Sequence, residues 1–417
     1  MSFQRSLFLA YVTTSSASAA SAASSYSIAS GCSLSSATAS SQSDLDKYSS
    51  CEALRGDLTI TGDLSSASLD HVKAIYGSLI INNATSLGSF SAGSLTTVTE
   101  KLSLTSLTIL STLQFPQLTT VGSVNFVTLP ALNEISLNTG ITKINSLYIS
   151  DTSLETLSGF DVRSLDTFNV NNNKNLNSID SQLQNVKVAL EVSYNADEVE
   201  VSFDDLEWAN NITFRDISSI SLSKLETVNA SLGFINTSLD KIEISNLGSV
   251  GGSLTFVSND ELEEIDLSNL TSIGGGFDIS NNTHLKDIEG FDSLETVGGA
   301  VVFVGNFTNA SLPSLKRVSG GMEIESSDEF DCDEFNKKKS AIQGDAYVCK
   351  AASSSTSVAL SSTSGSGSST GSGSSSSTGS GSSGSSSSRS SGDAAGLVVF
   401  QATSIFSGIA AVVLALL

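Results

Sequence analysis

The chain has 417 residues, with 20 Lys and Arg against 43 Asp and Glu, and so carries a net charge of −23. Such a chain lacks the basic footprint of a nucleic-acid binder, and its two histidines leave little room for His-based catalysis or zinc. Only 15% of residues are charged, so Ser, Thr, Asn and Gly must supply the polar surface.

Residues 1–19 read as a short secretory signal. Arg5 supplies the charged start, and Leu7-Phe8-Leu9-Ala10-Tyr11-Val12 the apolar stretch. Ala17-Ser18-Ala19 and Ala20-Ser21-Ala22 are candidate cleavage sites. The apolar run is short, and the alternative is a plain Ser/Ala leader.

Residues 20–56 hold Cys32 and Cys51, and residues 327–352 hold Cys332 and Cys349. Between them a motif of two alternating apolar residues recurs, from Leu58-Thr59-Ile60 through Phe168-Asn169-Val170 to Met322-Glu323-Ile324. Thirteen copies span 264 residues over 12 intervals, a mean of 22. Two further elements fall between them: Leu-x-x-Val/Ile, often followed by Gly, as in Leu294-Glu295-Thr296-Val297-Gly298, and a second Leu-x-x-Ile, as in Leu262-Glu263-Glu264-Ile265. Alternation marks a strand with one buried face, and 22 residues are too few for a crossover that carries a full helix.

The fold class expected is therefore mainly β. Residues 57–326 would form a right-handed parallel β-helix or leucine-rich-repeat-like solenoid of about 13 coils, a rod about 60 Å long. Asn recurs after the strands (Asn82, Asn83, Asn172, Asn173, Asn259, Asn281, Asn282). It either bonds turn backbone in a ladder along the rod or merely marks polar turns. The ends of a solenoid need caps, and the cysteine pairs lie where caps belong. Pairing within each end is the natural expectation, although four cysteines allow three connectivities. Short helices are expected at Asp44–Tyr48 and Asp333–Gln343.

Residues 353–391 are Ser, Thr or Gly except Val358, Ala359, Leu360 and Arg389. Such a segment buries too little to offset its ordering entropy and reads as an O-glycosylated stalk. Residues 392–417 begin with small residues and end in an apolar run, Leu397–Leu417, with no basic flank. That is the pattern of a removable glycosylphosphatidylinositol (GPI) signal, with Gly392 as the attachment residue, or else Ser391 or Asp393. A tail-anchored helix is the alternative. Asn-x-Ser/Thr sequons occur at Asn83, Asn211, Asn229, Asn236, Asn269, Asn281, Asn306 and Asn309.

The coil Gly77-Ser78-Leu79-Ile80-Ile81-Asn82-Asn83, with its Leu-x-x-Ile partner, resembles the leucine-rich L-domain of growth-factor-receptor ectodomains. The order of signal, Cys-bearing cap, coils, second cap, stalk and GPI tail more closely resembles a fungal family of GPI-anchored cell-wall glycoproteins, the extracellular-mutant and sporulation-specific type. The resemblance covers nearly the whole chain and implies a role in wall organisation and integrity. It implies residence at the outer leaflet of the plasma membrane or in the wall, and it supplies no catalytic residues. Expected partners are wall polysaccharide or wall mannoproteins, with the membrane reached through the GPI lipid. No nucleic acid, cofactor or metal is expected, and the chain should be monomeric. A ligand-binding adhesin or sensor is the alternative function.

Enzymatic readings rest on little. The acidic run Glu191, Asp197, Glu198, Glu200, Asp204, Asp205 and Glu207 offers carboxylates for polysaccharide cleavage or calcium, and reads more simply as a solvated face. Glu264-Ile265-Asp266-Leu267 matches only the start of a glucanase signature, because Ser268 and Asn269 follow. His71 and His284 read as surface or turn residues, and Trp208 as a partly buried packing residue rather than a sugar platform. Gly274-Gly275-Gly276 reads as a turn between coils.

Overall fold

The computed structural model describes residues 26–352. The expected signal, stalk and GPI-attachment site lie outside these residues.

The chain winds into a parallel β-solenoid of about 14 turns. Its main ladder runs from Ala37–Ala39 through Leu58–Ile60 and each later copy of the motif to Met322–Ser326 and Tyr347–Lys350. Among the described residues fifteen strands stack in this ladder, two more than the repeat pattern supplies. The extra pair comes from the caps: Ala37 pairs in register with Leu58, and Met322 with Tyr347. Neither cap strand carries the Leu-x-Ile signature, because a terminal rung needs only one buried neighbour. At about 4.8 Å per rung, fourteen steps make a rod about 67 Å long.

The two other sequence elements form their own ladders. The Leu-x-x-Val/Ile element makes a second run of short strands beside the first, for example Ser272–Ile273 on Thr296–Val297 on Arg317–Val318. Between residues 97 and 193 these strands merge with the main ones into single long strands such as Thr97–Thr105 and Thr120–Leu129. The third element forms shorter stacks, including Ser66–Ser68, Ser89–Ser91 and Thr112–Gln114.

Each coil sends its apolar residues inward, so one continuous core runs the length of the rod. Phe214, Phe234 and Phe256 stack on one another at 5.5 and 5.6 Å between ring centroids. Each fully buried Leu, Ile or Phe contributes about 1.5–3 kcal/mol of transfer free energy. The glycine after Val/Ile is explained by how closely the coils approach. A Cβ on Gly274 would lie 2.1 Å from the Gly251 carbonyl oxygen, and one on Gly298 2.1 Å from that of Gly274. The triplet Gly274-Gly275-Gly276 is thus a contact between coils as well as a turn.

The corner after each main strand is equally regular. Ten successive coils place a non-glycine residue there at φ between 50° and 60°, from Asn83 to Asn281. Asn and Asp, which tolerate this conformation, fill six of the ten corners. The next position points inward and holds the asparagine ladder. Asn259 is fully buried; its Nδ2 donates to the Phe234 carbonyl (3.1 Å) and to Asn282 Oδ1 (3.0 Å). Its Oδ1 accepts from Thr237 N (3.0 Å) and Thr237 Oγ1 (2.7 Å). Thr152, Asn173 and Asn195 repeat the arrangement. Ile217 separates the two runs.

At one end, helix α1 (Gln42–Asp46) buries Leu45, and Cys32 is bonded to Cys51. At the other, helix α2 (Asp333–Lys337) buries Phe335 against Phe303, and Cys332 is bonded to Cys349. Helix α1 has the expected length but begins two residues earlier than Asp44, whereas α2 is shorter than the expected Asp333–Gln343. The second continues only as a 3₁₀ turn over Lys339–Ala341.

Candidate functional site

Strand alternation leaves the outer surface of the main sheet as two parallel columns of side chains. In its N-terminal half one column reads Ser103, Asn125, Tyr148, Asn169, Glu191, each in register with the next. The adjacent column reads Thr105, Val127, Ser150, Asn171, Ser193. Neither contains a cation. Tyr148 is 37% exposed, and Tyr194, at the corner two coils further on, is 53% exposed.

The polar side chains on this face are tied together. Asn169 Nδ2 donates to Glu191 Oε2 at 2.7 Å, and Asn171 Nδ2 to Asn169 Oδ1 at 2.5 Å. Ser150 donates to Asn171 Oδ1 at 2.6 Å, and Asn125 to Ser103 Oγ at 3.2 Å. The Tyr148 hydroxyl has no hydrogen bond among the described residues. Ser103, Ser150 and Ser193 are buried and Asn125, Asn169 and Asn171 are half-buried, so the result is a strip of fixed amides around one exposed ring. Sequence reading missed it, because Asn125, Tyr148 and Asn169 come from three separate coils and converge only through register.

The residues singled out for catalysis do not converge. Glu191 lies on the outer face of the main sheet, Glu200 in a strand of the third ladder, and Asp204 and Asp205 in the turn after it. Hydroxyls donated by Ser221 and then Ser223 hold the Asp204 carboxyl below its ordinary value, so it is an ionised acceptor rather than a proton donor. Asp205 pairs instead with Lys224 at 2.6 Å. Glu264 pairs with Lys241 at 3.1 Å, and Asp266 Oδ1 accepts the Ser268 amide at 3.0 Å. Among the described residues no group of His, Cys, Asp and Glu is arranged to hold a metal ion. His71 and His284 are exposed, and Trp208 is half-buried on a short strand between Asn185 and Thr227. A shallow cavity of about 530 Å³, lined by Ser66, Ser89, Thr112 and Gln114, lies on the third ladder and carries neither an exposed aromatic ring nor a charge.

Asn83, Asn229, Asn236, Asn269, Asn281 and Asn309 are exposed, whereas Asn211 and Asn306 are half-buried. Asn83, Asn236 and Asn281 occupy the left-handed corners.

Over 325 residues the chain is 45% identical to the cell wall mannoprotein PST1 of Saccharomyces cerevisiae, covering 77% of this chain and 73% of that one. It belongs to the fungal GPI-anchored cell wall protein family. Other members include the cell surface GPI-anchored protein ECM33 of Candida albicans, 39% identical over 321 residues (76% of this chain, 78% of that one). The cell wall protein ecm33 of Schizosaccharomyces pombe is 33% identical over 327 residues, 77% of each chain. No family profile and no solved structure matches the chain.

Proposed function

We propose that this chain is a non-catalytic structural protein of the fungal cell surface that supports the organisation and integrity of the wall. The solenoid stands outside the cell as a stiff, acidic, N-glycosylated rod. Residues 353–391 carry it away from the bilayer as a stalk, and Gly392, or a neighbour at Ser391 or Asp393, takes the GPI lipid. Its partners are wall polysaccharide or wall mannoproteins.

The observation that supports this reading is the 33–45% identity to wall mannoproteins and GPI-anchored surface proteins. The dispersed acidic run agrees with it: Asp204 and Asp205 bond to different neighbours, and Asp204 is held ionised. Glycosidase chemistry needs one carboxyl kept protonated opposite another.

The test is replacement of the gene in the fungus that carries it. Loss of the chain should sensitise cells to wall-binding dyes, and the full-length chain should restore resistance. A chain bearing Asp204→Asn and Asp205→Asn should restore it equally; failure of that variant alone would favour a polysaccharide-cleaving role. Phosphatidylinositol-specific phospholipase C should release the membrane-bound form, and retention after treatment with active enzyme would count against the anchor.

A further inference from the structure

We propose that the strip of the main sheet from Ser103 to Ser193 is a binding ledge for a neutral polysaccharide laid along the solenoid axis. The proposal deepens the wall-associated reading above and rests on it.

The first argument is chemical. A sugar ring presents an apolar C–H face and a rim of hydroxyls that both donate and accept. Tyr148 offers an exposed ring on the outer face of the sheet, and such rings bind apolar faces at low entropic cost. Asn125, Asn169 and Asn171 flank it with groups that donate and accept. Asn169 and Asn171 are already fixed by the chain of bonds from Ser150 to Glu191, and Asn125 by its bond to Ser103, so little ordering remains to be done on binding. With Glu191 as its one charge and no Lys or Arg in either column, the strip disfavours an anionic chain. Register repeats the pattern every 4.8 Å or so, and Tyr194 adds a second exposed ring about 10 Å beyond Tyr148. An array of that kind suits a polymer better than a single sugar.

The second argument is independent and comes from where the chain has no N-glycosylation sequon. Residues 211–309 contain ten asparagines, seven of them in sequons. Residues 84–210 contain thirteen asparagines in an equally Ser/Thr-rich context, and none is in a sequon. Asn83 and Asn211 bound this gap, and the ledge lies wholly inside it. An N-glycan there would occupy the surface that a wall chain has to reach. The bare stretch is what a carbohydrate-binding face requires.

The experiment uses the full-length chain, purified in detergent and titrated with soluble β-1,3-glucan, mannan and chitin oligomers. Two variants accompany it. Tyr148→Ala removes the ring. Val127→Thr, nearly isosteric at a half-buried outward position, converts Asn125-Phe126-Val127 into a sequon and places a glycan on the ledge, which a mobility shift verifies. The expected result is measurable affinity for one of these polymers, about tenfold weaker in Tyr148→Ala and abolished in glycosylated Val127→Thr. Enzymatic removal of the glycan should restore it.

Polysaccharide binding that both variants leave unchanged overturns the ledge while wall association stands. No binding to any neutral polymer also overturns it, as does a Tyr148-dependent association with a wall protein instead. The dye-sensitivity assay is scored separately: if the unaltered chain fails to restore resistance, the structural reading fails whatever the titrations give.

Discussion

The asparagine ladder supplies the sharpest test of how the coils are held together. Asn259→Ala removes four hydrogen bonds made by one fully buried side chain: two donated, to the Phe234 carbonyl and Asn282 Oδ1, and two accepted from Thr237. Asn282 Oδ1 keeps one donor, the amide of residue 259 at 2.9 Å. The Thr237 amide and hydroxyl lose their acceptor in a space that water does not reach. At about 1 kcal/mol net for each lost bond, and more where a buried donor is orphaned, the cost is about 3–5 kcal/mol. The control is Asn246→Ala, which removes an exposed bond to the Ser223 carbonyl and should cost about 0.5 kcal/mol or less. Urea unfolding followed by circular dichroism compares the midpoints, and hydrogen exchange locates the loss at the coils that bear residues 234, 259 and 282. Asn259→Asp extends the test. A buried carboxylate cannot donate to Phe234, whereas its protonated form can, so this variant should be less destabilised at low pH than at neutral pH. An Asn259→Ala midpoint matching that of Asn246→Ala would refute the ladder as a source of stability.

The caps, the sequons and one outward carboxyl give three more expectations. Opening Cys332–Cys349, which closes a loop of sequence separation 17, with Cys332→Ser and Cys349→Ser should cost about 3 kcal/mol and make residues 327–352 sensitive to limited proteolysis; equal resistance would mean that Phe335 packing alone holds the cap. Asn83, Asn281 and Asn309 are exposed and make no Nδ2 bond among the described residues, whereas half-buried Asn306 donates to the Thr283 carbonyl at 3.0 Å. Mass spectrometry after glycan release in heavy-oxygen water should find the first three occupied and Asn306 least so. Burial pushes the Asp278 carboxyl up, so the fold binds that proton more tightly than the unfolded chain does. Its charge therefore costs stability as pH rises past the unfolded value, with the full cost reached above the folded one. Asp278→Asn should stabilise the protein near pH 7 and change little near pH 3, as read from unfolding midpoints at the two pH values.

The solenoid was legible because its signal is periodic. Two apolar residues in alternation every 22 or so are enough to specify a rung, and the Leu-x-x-Val/Ile elements mark the other two ladders. The cap rungs at Ala37–Ala39 and Tyr347–Lys350 were not legible. A terminal strand is held by pairing on one side and by packing under its cap, and that requirement leaves no spaced pattern. The asparagines show a different limit. Asn281 and Asn282 are adjacent and read alike, yet one sits exposed at φ 60° and the other is 4% exposed within the ladder. Which of two neighbours turns inward depends on where the left-handed corner falls, and that is fixed by the stacked coils rather than by local composition. The ledge was hidden for the same reason: its members lie 21 to 23 residues apart and share a surface only once register is known.

The corners also explain how one rod can carry a series of sequons and still keep one stretch free of them. Asn is favoured at φ > 0 because its short amide tolerates the conformation, and six of the ten corner residues are exposed, the others (Ser106, Thr128, Asp216 and Ser258) being half-buried. A backbone requirement repeated in ten coils therefore creates a row of positions suited to Asn along one edge of the main sheet, six of them exposed. At Asn83, Asn236 and Asn281 a hydroxyl residue two places on completes a sequon. Asn172 occupies an equivalent corner beside the ledge, but Lys174 follows at the decisive place. Asp151 and Tyr194 fill two other corners there and cannot be glycosylated at nitrogen. Choosing among residues that the backbone tolerates costs at most about 1–3 kcal/mol per corner. The distribution of corner sequons over the rod can thus be set position by position, without disturbing the core that holds the coils together.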